Sequence, residues 1–290
     1  MRISGKTRLL GVIGNPIGHS LSPVMHNAAL EEMDSDFIYV AFPIEESVLS
    51  IAVTGFGAIG VQGFSVTIPH KQTIMSELVH ISKLATAVGA VNTVWKTAQG
   101  WYGTNTDVEG FVSPLQEMNR DWSEENAIVL GNGGAARAVV VGCAELGLKS
   151  IQVIGRDSNK LQDFLASFNS FESVASRLTV NTWDTLDNTL ANADLIVNST
   201  PIGMAPNVDA SPLTIIQAQK IKAGAIAYDL IYTPNPTEFL RQAEVQGATA
   251  IDGLEMLVQQ GAAALKIWTG KSEVPVTTMR VALQKHLGLV

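Results

Sequence analysis

The chain has 290 residues, more than one small core usually serves, which points to two domains. With 46% hydrophobic and 16% charged residues, it is a globular sequence and not a disordered one. A formal net charge of -8 argues against a general nucleic-acid or membrane-surface binder, because both rest on basic surface. An anionic ligand must therefore find a local positive site. The single cysteine, Cys143, leaves no intramolecular disulfide and fits a reducing compartment, so a cytoplasmic protein is expected. Cys143 lies in an apolar run and reads as a core thiol. Gly14, Asn15 and Pro16 cut short the apolar run from Leu9, so no signal peptide is expected. No uncharged apolar stretch reaches the ~20 residues that span a bilayer.

In chain order, residues 9–14 read as a short buried strand. Ser22-Pro23 opens a helix to about residue 33, with serine as N-cap and proline as first helical residue. Residues 37–42 form a strand, 48–56 a helix, 63–68 a strand and 71–79 a helix. Residues 90–95 and 100–104 pair as strands around a turn at Ala98-Gln99-Gly100. This alternation predicts an α/β sheet. A helix over 108–118 leads into a second unit. There, strand 127–130, a glycine loop, a helix to residue 146 and strand 150–154 follow one another. Further strands at 195–198, 225–230 and 248–251 complete the rhythm of a doubly wound parallel sheet. Past Gly253 the pattern is helical, over 254–269 and 276–287, and these helices are expected to return to the first domain.

The loop Gly131-Asn132-Gly133-Gly134-Ala135-Ala136 follows an apolar strand and opens a helix, the context a nucleotide loop needs. Gly131 allows the tight turn, Gly133 lets a pyrophosphate approach, and Ala136 fills the small third position. Helix N-terminal N–H groups then hold the phosphates. The next strand ends in Gly155-Arg156-Asp157-Ser158-Asn159-Lys160. Arg156 can grip a 2′-phosphate, with Lys160 one turn on, which favours NADP. Asp157 either repels that phosphate or accepts a hydrogen bond from the NAD ribose, so NAD stays open as a secondary cofactor.

Lys71 and Asp107 close two specific runs, Gly63-Phe64-Ser65-Val66-Thr67-Ile68-Pro69-His70-Lys71 and Gly103-Thr104-Asn105-Thr106-Asp107. An acid/base pair ahead of a dinucleotide fold suggests hydride transfer at an alcohol carbon, with the pair moving the matching proton. Burial lowers a lysine pKa and a nearby aspartate raises it, and the sequence does not say which wins. His19, His26 and His70 are not spaced as metal ligands, so no metal is expected.

Gly14-Asn15-Pro16-Ile17 and His19-Ser20-Leu21-Ser22-Pro23 resemble the opening of the shikimate dehydrogenase family. So do Ser65-Val66-Thr67-Ile68-Pro69-His70-Lys71, Gly89-Ala90-Val91-Asn92-Thr93, Gly103-Thr104-Asn105-Thr106-Asp107 and the loop at Gly131. Asn198-Ser199-Thr200-Pro201-Ile202-Gly203-Met204 and Asp252-Gly253-Leu254-Glu255-Met256-Leu257-Val258-Gln259-Gln260-Gly261 complete the series. The resemblance covers nearly the whole chain in order, and eight segments are far more specific than one.

The resemblance implies an N-terminal α/β substrate domain, residues 1–107 with 254–290, and a Rossmann-type NADP-binding domain, residues 108–253. It implies reversible, NADP-dependent reduction of 3-dehydroshikimate to shikimate, in aromatic amino acid and chorismate biosynthesis. A quinate/shikimate enzyme that also takes NAD, and a non-catalytic NADP sensor, are the alternatives. Lys71 and Asp107 would be the catalytic pair. Ser20 and Ser22 would hold the substrate carboxylate, unless Ser22 serves only as a cap. Thr67, Asn92, Gln260 and Tyr232 would meet the rest of the substrate. Around the cofactor the resemblance places Gly131, Asn132, Gly133, Gly134, Ala135, Arg156, Lys160, Thr200, Met204, Leu230 and Gly253. Many members carry asparagine where this chain has Ser65, and the shorter hydroxyl is expected to lose a contact or admit a water. Substrate between the domains, hinges near Val108 and Gly253, and a monomer or homodimer are further expectations.

Overall fold

The computed structural model describes residues 3–290. Its first elements are β1 (Arg8–Gly14), α1 (Ser22–Glu32), β2 (Phe37–Pro43), α2 (Leu49–Ile59) and β3 (Gly63–Val66). Then come β4 (His80–Ile81), α3 (Lys83–Val88), β5 (Thr93–Thr97), β6 (Gly100–Thr104) and α4 (Asp107–Gln116). The middle holds β7 (Asn126–Leu130), α5 (Gly134–Glu145), β8 (Ser150–Gly155), α6 (Ser158–Ala166), α7 (Glu172–Ala175) and β9 (Leu178–Thr182). It continues with β10 (Leu195–Asn198), α8 (Ile215–Ala218), β11 (Ile226–Asp229), α9 (Glu238–Val245) and β12 (Thr249–Ile251). The chain closes with α10 (Gly253–Thr269) and α11 (Val276–His286). Two compact units result. One runs to Gly110 and resumes at Val258; the other is Phe111–Leu257.

The first unit is built on a mixed sheet of order β2-β1-β3-β5-β6-β4. β1 is parallel to β2 and β3, whereas β5 is antiparallel to β3 and β6. β1 is buried without a break from Leu10 to Gly14, as expected of a strand covered on both faces. On one face Val53 and Phe56 of α2 pack with Ile13, Phe64, Val66 and Trp101. On the other, Trp268 of α10 lies directly over Gly63, where a Cβ would meet its ring at 2.3 Å. Its indole N–H donates to the Val94 carbonyl at 2.9 Å. α11 packs along α1.

Two local expectations fail here, for reasons the hydrogen bonds give. Ser22 is not the N-cap of α1. Leu21 holds that position without a side-chain cap, and Ser22 is already helical. The Ser22 N–H is taken by Ser20 Oγ at 3.3 Å instead. Nor does a helix run over 71–79. The Lys71 carbonyl, which such a helix would give to Met75, accepts the Val91 N–H at 2.8 Å. The segment becomes a turn followed by a 3₁₀ helix at Thr73–Glu77.

The second unit is an all-parallel sheet of order β12-β11-β10-β7-β8-β9. The chain builds outward from β7 to β8 and β9, then crosses over to β10, β11 and β12. β7 and β10 therefore flank the switch point, where such sheets bind ligands at their carboxyl ends. Ile128, Leu130, Ile154, Ile196 and Phe239 pack in its core. β9 carries no apolar run, only Leu178 and Val180 among polar residues, and it lies at the sheet edge. Cys143 is fully buried on α5, and burial pushes its thiol up.

Candidate active site

Lys71 is delivered by the turn that ends β3. The His70 N–H bonds the Thr67 carbonyl at 2.9 Å. The His70 ring is fully buried, with Nε2 at 2.7 Å from the Ile44 carbonyl, so Nε2 is the donor. With its own carbonyl tied to Val91, Lys71 is fixed beside the lead into β5. Asp107 is the first residue of α4. Its N–H bonds Asn105 Oδ1 at 3.0 Å, and Asn105 Nδ2 donates to the Ala90 carbonyl at 3.0 Å.

These anchors bring Lys71 Nζ to 2.5 Å from Asp107 Oδ2, with the side chains 21% and 11% exposed. Asp107 Oδ1 accepts from Asn92 Nδ2 at 2.8 Å. Both carboxylate oxygens are thus held, which fixes the plane of the group. The second Asn92 amide hydrogen goes to Thr106 Oγ1 at 3.0 Å. Asn92 Oδ1 accepts the Thr106 N–H at 2.7 Å and the Thr93 hydroxyl at 3.0 Å. In this geometry Asn92 acts on Asp107, and a contact with a substrate hydroxyl would have to displace one of these bonds. A partly open lysine backed by an oriented carboxylate can give a proton to, or take one from, an oxygen brought beside it.

Ser20 and Ser22 stand at the start of α1, half-buried and buried, where the helix dipole favours an anion. Thr67 follows β3 and is half-buried, as is Gln260 on α10. Tyr232 belongs to the second unit, and burial raises its pKa.

In the second unit the loop after β7 lies against the end of β10. Gly131 has φ +102°, and a Cβ there would meet Ser199 Oγ at 2.9 Å and Thr200 Cγ2 at 3.0 Å. Nothing lies within 4 Å of the Cβ positions of Gly133 and Gly134. Gly133 is the N-cap of α5 and offers no side-chain cap. Exposed N–H groups on an open, glycine-lined helix start suit a pyrophosphate, so the residues present fit a dinucleotide. Asn132 and Ala135 are half-buried on either side, with Asn132 Oδ1 beside Gly155.

At the end of β8, Arg156 and Lys160 are both exposed. Asp157 is the N-cap of α6, its Oδ1 accepting from Asn159 N at 2.9 Å and Lys160 N at 3.2 Å. One carboxylate oxygen is thus held by the helix, between two exposed cations.

Thr200 is locked to Asn198 Oδ1 through its N–H at 3.0 Å and its hydroxyl at 2.7 Å. Asn198 Nδ2 in turn donates to Asp229 Oδ1 at 3.0 Å, which also accepts the Ile231 N–H at 3.1 Å. Asp229 Oδ2 accepts the Thr237 hydroxyl at 2.7 Å. Asp229 is fully buried, and burial pushes its carboxyl up to about 6, against the hydrogen bonds. The sequence reading does not include it. A charge inside the apolar run Ala225-Ile226-Ala227-Tyr228-Asp229-Leu230-Ile231 was the signal. Gly253 presses on the same corner, since a Cβ would lie 2.2 Å from the Leu230 carbonyl oxygen. Met204 is exposed and Leu230 half-buried.

Among the described residues no helix is long and apolar enough to cross a membrane. No group of metal-ligating side chains comes together among them either.

Three family profiles match consecutive parts of the chain. Residues 12–94 match the shikimate dehydrogenase substrate binding domain, 114–254 shikimate / quinate 5-dehydrogenase, and 253–284 the shikimate 5′-dehydrogenase C-terminal domain. The shikimate dehydrogenase (NADP(+)) of Trichormus variabilis is 57% identical over 289 residues, covering 99% of this chain and 100% of that one. A crystal structure of a shikimate dehydrogenase with NADP+ has a TM-score of 0.87 at 36% identity, covering 99% of this chain and 98% of the other. The Listeria monocytogenes shikimate 5-dehydrogenase, in complex with shikimate and NAD, has a TM-score of 0.89 at 33% identity, with 98% of each chain covered. With its mixed substrate-side sheet, its doubly wound sheet and this likeness along nearly its whole length, the chain belongs to the shikimate dehydrogenase family.

Proposed function

We propose that the chain catalyses the reversible, NADP-dependent interconversion of 3-dehydroshikimate and shikimate, with Lys71 and Asp107 as the acid/base pair. The observation that carries this is the Lys71 Nζ–Asp107 Oδ2 contact of 2.5 Å, oriented by Asn92. NADPH, when bound, supplies the hydride to the carbonyl carbon. Lys71 gives its proton to the oxygen that gains the electron pair, and in the oxidative direction the Lys71 amine takes that proton back. Asp107 keeps the ammonium aimed and accepts a neighbouring ring hydroxyl. Ser20 and Ser22, at the head of α1, receive the carboxylate, and Thr67 and Gln260 the ring hydroxyls.

On the cofactor side, the α5 N-terminus takes the pyrophosphate, and Arg156 with Lys160 takes the 2′-phosphate. Thr200, Met204, Leu230, Tyr232 and Gly253 form the nicotinamide and substrate end of that unit. With two exposed cations at the end of β8 and one oxygen of Asp157 held by the α6 cap, NADP is the main cofactor and NAD a lesser one. The buried thiol of Cys143 fits a cytoplasmic protein.

The test is shikimate-dependent reduction of NADP and of NAD, followed by nicotinamide absorbance, with quinate run alongside. Turnover with shikimate and NADP well above every other pair is expected. Equal turnover of quinate, or of NAD, would replace this reading by a dual-specificity enzyme. No turnover by folded protein would leave a binding protein.

A further inference from the structure

Ser20 and Ser22 account for the head of α1, but a phenol stands directly behind them. Tyr39 lies on β2 in register with Leu10 of β1, and Leu10 is in register with Gly63 of β3. Residues in register on parallel strands share a face, and Ser65 lies two residues past Gly63 on that face. The tyrosine leans along the sheet, and its hydroxyl donates to Ser65 Oγ at 2.8 Å. The Ser22 side chain lies near the same phenol and acts to lower its pKa, against the larger effect of burial. Tyr39 is 1% exposed and the two serines 9% each, so three buried hydroxyls gather where β2, the head of α1 and β3 meet.

The ring is held from outside. His26 stacks on it with centroids 4.3 Å apart, and Trp268 lies at 5.7 Å. His26 is fully buried and neither of its nitrogens has a hydrogen-bond partner among the described residues. Burial lowers its pKa to about 3, so it is a neutral plate against the tyrosine and no proton source.

A hydroxyl has one proton and two acceptor positions. With the Tyr39 proton on Ser65 Oγ, the proton of Ser65 itself is left to donate elsewhere. The Tyr39 oxygen can hold the Ser22 proton until a stronger acceptor arrives, and a carboxylate is one. We propose that Tyr39 is a positioning residue of the carboxylate subsite, holding Ser65 and Ser22 so that both hydroxyls can donate to the substrate carboxylate. Ser65, braced from behind, thereby does the work of a longer amide side chain. This inference rests on shikimate being the substrate.

Wild type, Tyr39→Phe and Ser65→Ala are assayed with shikimate and with shikimate methyl ester, at saturating NADP. Tyr39→Phe should raise the KM for shikimate about three- to tenfold, the effect of one hydrogen bond, with kcat within about twofold. The ester lacks the charge and should show the same KM in both proteins. Ser65→Ala should repeat this pattern, and the double variant should add little to either single change. An unchanged KM for shikimate overturns the inference, as does an equal rise for acid and ester, which is what loosened packing alone would give. If Tyr39→Phe does not fold, Ser65→Ala, which leaves the ring stack intact, decides the question by the same pair of substrates. Absence of shikimate turnover in wild type would remove the substrate assignment and this inference with it. Wild-type turnover with an unaffected Tyr39→Phe would remove only the inference.

Discussion

Replacing Asp229 by asparagine removes a buried carboxyl whose protonation the fold favours. Burial raises this group from 3.8 to about 6. Between those values the native protein binds a proton that the unfolded chain has released, so the group's contribution falls as pH rises from about 4 through about 6. It is level below and above that window. At about 1.4 kcal/mol per pKa unit, the span corresponds to about 3 kcal/mol. Asparagine keeps an oxygen for Asn198 and for the Ile231 N–H, presents an amide to Thr237, and does not titrate. The difference in unfolding free energy, variant minus wild type, should therefore grow by about 3 kcal/mol between about pH 4 and about pH 7. Urea unfolding of both proteins across that range measures it, and every other carboxylate cancels in the difference. A flat difference would refute the reasoning, since the three hydrogen bonds would then fully offset burial. A slope of opposite sign would mean that they outweigh it.

Lys71→Ala should lower kcat by about 10²–10⁴-fold with the melting temperature nearly unchanged, since the side chain is partly open; near-normal turnover would remove Lys71 from the mechanism. Arg156→Ala should raise the KM for NADP about tenfold or more and leave that for NAD nearly alone, because only NADP carries the phosphate. A rise shared by both cofactors would place Arg156 on a part common to the two. Tyr228→Phe should raise unfolding free energy by about 1 kcal/mol, because its fully buried hydroxyl has no hydrogen-bond partner among the described residues. The ring keeps its stack on Phe111 at 5.2 Å, so a loss of stability in calorimetry would contradict that expectation.

The doubly wound sheet is legible because its inner strands are short apolar runs closed by turn residues, as β7 is by Gly131. β9 escapes that pattern because it is an edge strand, and Thr179, Asn181 and Thr182 along it are exposed or half-buried. The helix expected over 71–79 fails for a different reason. Its first carbonyl is claimed by Val91, and no local periodicity encodes a bond to a residue so far along the chain. The chemistry-bearing residues are legible as types in motifs, but what each one bonds is not. Asn92 reads as a ligand for hydroxyls and spends its amide on Asp107 and Thr106. Tyr39, which no motif marks, donates to Ser65.

Asp157 shows how finite hydrogen-bonding capacity bears on cofactor choice. By type alone it could serve an NAD ribose as well as a helix. The structure gives one of its oxygens two backbone donors in the first turn of α6, and a capping bond of this kind is worth about 1 kcal/mol. A ribose hydroxyl on the other oxygen would gain a single hydrogen bond. A 2′-phosphate held by Arg156 and Lys160 would leave the cap undisturbed, and charge-assisted bonds are about twice as strong as neutral ones. The expected preference for NADP thus rests on the two cations, with one oxygen of the carboxylate between them held by the helix. Asp157→Ala should consequently destabilise α6 more than it improves the use of NAD.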